Sequence, residues 1–105
     1  FLVYVPLDRM EVVQNLLASF EAIAERHDIE NDLGFITPLD FGKRAILEYD
    51  YYIDHTDKKE SEKIRRAMES VEPMIENMSE VYKGVVWLKY VFSQGCSRKE
   101  SFLYT

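Results

Sequence analysis

One cysteine, Cys96, stands in 105 residues. An internal disulfide and any multi-cysteine metal site are therefore excluded, and the composition is read as that of a reducing, cytoplasmic compartment. Histidines number two, His27 and His55, far apart in sequence and with no third ligand beside them, so no metal site is expected. Cations are in deficit: 13 lysines and arginines face 19 acids, for a net charge of −6, whereas a nucleic-acid partner would want a basic face, so none is expected. Only four glycines are present, and none form a glycine-rich cradle for phosphate. No apolar run approaches the roughly 20 residues of a spanning helix. No basic segment precedes the apolar residues 1–7, so no signal peptide is read there. The first residue is Phe1, not Met, which reads as a domain boundary inside a longer protein.

What is present is globular in kind. Apolar residues make up 47% and charged residues 30%, and the length suits one domain with one core. Residues 1–7 are short, β-branched and aromatic, a strand with Pro6 near its end. Asp8 and Glu11 resemble a capping box, and Val12, Val13, Leu16, Leu17, Phe20, Ile23 and Ala24 follow on one helical face. That helix is expected to end near His27, with residues 28–32 as a polar link. Residues 33–39 form a second apolar run, joined through residues 40–43 as a hairpin to a long strand over 44–54. There the alternation is strict: Ala45, Leu47, Tyr49, Tyr51 and Ile53 share one face, and Arg44, Ile46, Glu48, Asp50 and Tyr52 the other.

Asp57 and Glu60 repeat the capping pattern ahead of a second amphipathic helix, marked by Ile64, Ala67, Met68, Val71, Met74, Ile75 and Met78. Pro73 lies inside it and is expected to kink it. Residues 80–86 read as a final strand, 87–93 as a last helix and 95–105 as a tail. The order β-α-β-β-α-β predicts an α+β, ferredoxin-like domain, an antiparallel sheet with two helices on one face. The apolar odd positions of 44–54 belong under those helices. Arg44, Glu48, Asp50 and Tyr52 then project from the open face and are the candidate substrate-binding residues.

The order and spacing resemble the C-terminal cap domain of FAD-linked oxidases of the vanillyl-alcohol oxidase and 4-cresol dehydrogenase type. The resemblance rests on the strand ending in Val5-Pro6-Leu7, on Gly34-Phe35-Ile36-Thr37-Pro38-Leu39, on Gly42-Lys43-Arg44 leading into the long strand, and on the exit Tyr52-Ile53-Asp54-His55-Thr56-Asp57. Tyr82-Lys83 falls where the family carries a Tyr-Arg pair. It covers residues 1 to about 90. The sequence departs from the pattern at Leu47-Glu48, where the family often has a His pair, and at Lys83, a point charge without the arginine fork.

The resemblance implies an oxidoreductase fragment that is inactive alone. FAD would be bound mainly by an N-terminal domain absent from this chain, and the cap would shape the cavity for a small-molecule alcohol, phenol or hydroxy acid. Tyr82 and Lys83 are implied as catalytic, the tyrosine orienting the substrate and the lysine balancing charge. The alternative is a stand-alone ferredoxin-like ligand-binding or dimerisation module, a homo-oligomer through its sheet. The charged row at 44, 48 and 50 speaks against a dry seam there. Met68, Met74 and Met78 read as core, and Cys96 as an inert thiol.

Overall fold

The structure, a computed structural model, describes residues 1–88. The chain runs β1 (Leu2–Pro6), α1 (Met10–Arg26), β2 (Glu30–Leu39), a 3-10 turn (Asp40–Gly42), β3 (Arg44–Tyr52), α2 (Lys58–Val81) and β4 (Val86–Trp87). The sheet order is β2-β3-β1-β4, with every neighbouring pair antiparallel. This is the α+β, ferredoxin-like arrangement that the sequence predicts: each β-α-β unit brackets a strand of the other.

Period two drives β3 into place. Ala45, Leu47 and Tyr49 are buried, and Val3 and Val5 of β1 are buried beside them. Val12, Val13, Leu16, Phe20, Ile23 and Ala24 of α1 and Ala67, Val71, Ile75 and Met78 of α2 close over this face. Leu17, Met68, Met74, Tyr51 and Ile53 pack at the margin of the same core. Aromatic rings fill its wider end. Phe20 stacks on Tyr49 and on Phe1, each at 4.9 Å between centroids, and Tyr51 meets Phe1 edge-on at 4.9 Å. The Tyr51 hydroxyl donates to the Phe20 carbonyl, and burial pushes that phenol above its usual range.

Several local expectations are corrected. Asp8 does not cap α1: the helix starts two residues later, Arg9 occupies the cap position without a side-chain bond, and Arg9 Nε instead donates to Glu11 Oε2 at 3.2 Å. The polar residues Glu30, Asn31 and Asp32 are strand, not link. They pair with Tyr52, Tyr51 and Asp50, and an edge strand wet on one side tolerates such polarity.

Helix α2 extends to Val81, because no glycine intervenes before Gly84 and Met78 still finds the core. It passes through Pro73 as one helix. Pro73 is on the exposed side, and so is Glu69, whose carbonyl loses its N–H partner. The final strand is only Val86–Trp87, so Trp87 belongs to a strand and does not open a helix. The rest of the expected last helix, Cys96 and the tail lie outside the described residues. Asp57, by contrast, caps α2 as expected, accepting from the Lys59 N–H at 2.8 Å.

Candidate functional site

Both helices lie on one side of the sheet, so its other face carries the even positions of β3 and their cross-strand neighbours. Register places Ile46 between Tyr4 and Thr37, Glu48 between Leu2 and Phe35, Asp50 opposite Asp32 and Tyr52 opposite Glu30. Val86 of β4 stands beside Tyr4. The face therefore has an apolar middle, with Phe35 46% and Val86 51% exposed, and an acidic end built from Glu30, Asp32, Glu48 and Asp50.

The acidic end is locally organised. Tyr52 donates to Asp50 Oδ2 at 3.4 Å. Desolvation raises the Glu48 carboxyl above its usual range, and the hydrogen bond to Asp50 and the charge of Asp50 raise it further. Tyr52 is raised too, by desolvation and then by the same carboxylates. Gly34 makes the arrangement possible. It sits at the irregularity in the β2–β3 register, and a Cβ there would run into the Glu48 carboxylate and come within 2.8 Å of Asp50 Oδ2.

Arg44 occupies the opposite end, roughly 13 Å from Glu48 along the strand. Its guanidinium grips Asp40, with Nη2 at 2.8 Å and Nε at 2.9 Å from Oδ2. The turn that holds Asp40 is strained: Asp40, Phe41 and Gly42 have φ of 50°, 56° and 85°, and the Phe41 ring stands wholly in solvent. Lys83 reaches the same place from the other side. A cleft of about 690 Å³ is lined by Arg44 and Asp40, by Pro6 and Arg9, and by Lys83 and Gly84. Gly84, at φ 93°, turns the chain there from α2 into β4.

The structure thus divides the six sequence candidates into three places. Glu48, Asp50 and Tyr52 form one polar row, with Tyr52 hydrogen-bonded to Asp50. Arg44 and Lys83 share the cleft at the other end of the sheet. Tyr82 belongs to neither. It caps α2, is not on a strand, and its hydroxyl accepts from Asn15 Nδ2 at 3.3 Å. The Arg9 guanidinium lies over its ring at 5.5 Å from the centroid. Tyr82 therefore faces the helices, and Lys83, one residue on, faces the cleft. Gly34 and Asp32 are parts of the acidic end that sequence reasoning missed. Only the register of β2 against β3 reveals them, since the polar composition of 28–32 reads as a link.

No group of three or more His, Cys, Asp or Glu side chains among the described residues is arranged to hold a metal ion. No described helix is long and apolar enough to cross a membrane. No family model, curated protein or solved structure matches the chain.

Proposed function

We propose that this chain is the substrate-side cap domain of a cytoplasmic FAD-dependent oxidoreductase, acting with a flavin-binding domain of the same protein on a small alcohol, phenol or hydroxy acid. The observation that carries the reading is the one-sided sheet: two helices consume one face, and the other is left open with an ordered polar row and exposed apolar residues. A face of that kind fits a cavity wall closed by a second domain.

The residues of this chain do not suit the phosphates of FAD on the open face. Glu48, Asp50 and Asp32 crowd its one end and would repel a diphosphate. In this reading the partner domain holds the cofactor, which accepts the hydride when bound. Lys83 and Arg44 supply positive charge toward a substrate anion, while Tyr82 positions the turn that carries Lys83, through Asn15 and Arg9. Glu48, Asp50 and Tyr52 offer acceptors and a phenol to a substrate hydroxyl.

The test is made on the full-length protein. It should purify with bound flavin, and Lys83→Ala should lower kcat if the ammonium balances charge that develops in the reaction, or raise KM if it only holds the substrate. A full-length protein that binds no flavin, or a Lys83→Ala variant with both constants unchanged, overturns the reading.

A further inference from the structure

Among the described residues, the densest positive charge lies away from the open face, where the end of α1 meets the start of α2. Arg26, Lys58, Lys59, Lys63 and Arg66 line a cleft of about 550 Å³ together with His27 and two carboxylates, Asp28 and Glu62. Each carboxylate has a basic neighbour. Asp28 Oδ2 lies 3.4 Å from Lys63 Nζ, which also reaches the Asp28 carbonyl at 3.1 Å and Glu60 Oε2 at 2.9 Å. Glu62 is held by both Arg65 and Arg66. Arg26, Lys58 and Lys59 make no ion pair among the described residues. Counted with Glu60, five cations face three carboxylates, an excess of two positive charges in a chain whose net charge is −6.

Folding alone does not account for this cluster. Lys58 and Lys59 are the first two residues of α2, where the partial positive charge of the helix end repels a cation. The helix end itself is not the attraction. Asp57 already takes the Lys59 N–H, and the end of α1, with the opposite partial charge, lies across the cleft. The positive charge comes from side chains of two segments, around Arg26 and over 58–66, that line the cleft together. Local rules broken without a stabilising gain are found most often at functional sites.

We propose that this cleft binds a small molecule through a phosphate or diphosphate group. Its volume is that of a small-ligand site. Arg26 brings a planar fork with no ion pair, and Arg66 engages Glu62 through Nε, which leaves its terminal amino groups to face phosphate oxygens; Lys58 and Lys59 add point charges. The rim favours a compact anion over an extended one. The Asp28 side chain is 97% exposed there, and Glu60 and Glu69 stand along α2, so a long acidic chain would meet carboxylates as it left the cleft. The site is independent of the cap reading, since it lies at the other end of the sheet from Lys83.

The test titrates the chain with inorganic pyrophosphate at low ionic strength, followed by amide chemical shifts. Saturable shifts confined to residues 26–28 and 58–66 are expected, weakening as salt rises. Lys58→Gln with Lys59→Gln should reduce affinity by about tenfold or more, and Arg26→Gln should do the same by itself. The lysine pair should also melt no lower than the wild type, because two charges opposed by the helix end have been removed. Inorganic phosphate and a phosphorylated sugar, run in parallel, separate a free anion from an ester as the bound source. No saturation, an unchanged affinity in both variants, or a glutamate oligopeptide binding as tightly as pyrophosphate would each overturn the proposal.

Discussion

Glu48 carries two demands at once. It projects from the open face beside Asp50, and burial plus that neighbour raise its carboxyl above the ordinary range. The folded state therefore holds the Glu48 proton more tightly than the unfolded chain does. Its contribution is fully favourable below the unfolded carboxylate range and is lost as pH rises through the raised folded value. Glu48→Gln mimics the protonated form, so it should stabilise the domain at neutral pH, with the gain vanishing on acidification toward pH 4 in melts followed by circular dichroism. One residue earlier the logic reverses. Leu47 is fully buried, and Leu47→Ala should cost about 2–5 kcal/mol at any pH. Alternation over β3 makes this contrast readable from the sequence. The approach of Gly34 to Glu48 and Asp50 is not readable there, because it depends on an irregularity in the β2 pairing that no periodicity announces.

At the scale of elements, the turn between β2 and β3 is the costliest piece of backbone. Gly42 is at ease at φ 85°, but Asp40 and Phe41 carry side chains in the left-handed region, and the Phe41 ring buries nothing in return. Phe41→Gly should therefore raise stability by about 0.5–1 kcal/mol in urea melts; a loss would show that the ring has a packing partner. Element ends explain most of what the sequence hid. Asp57 was legible as a cap because its side chain meets the Lys59 N–H. Asp8 carried the same signature, but α1 begins two residues later and Arg9 pairs with Glu11 instead. The last turn of α2 looked like a strand because Val81, Tyr82, Val85 and Val86 are strand formers. The backbone bond from Tyr82 N–H to the Met78 carbonyl, at 2.9 Å, holds the helix to that point. This extension turns Tyr82 toward α1 and leaves Lys83 with Arg44, so the two were separated by one residue of register.

The molecule as a whole is gripped unequally. β3 is paired on both sides, to β2 along nine register pairs and to β1 along five, whereas β4 is joined to β1 by two pairs and the Leu88 N–H bond to the Leu2 carbonyl at 3.0 Å. Amide exchange should sort along this gradient. Protons of Leu47 and Tyr49 should leave only when the entire domain opens, while those of Val86 and Leu88 should exchange much sooner, through a small excursion that frees one edge. Uniform protection across β3 and β4 would contradict this. An edge that detaches cheaply exposes the unpaired side of β1, and with it a row of main-chain donors and acceptors that another extended segment could occupy.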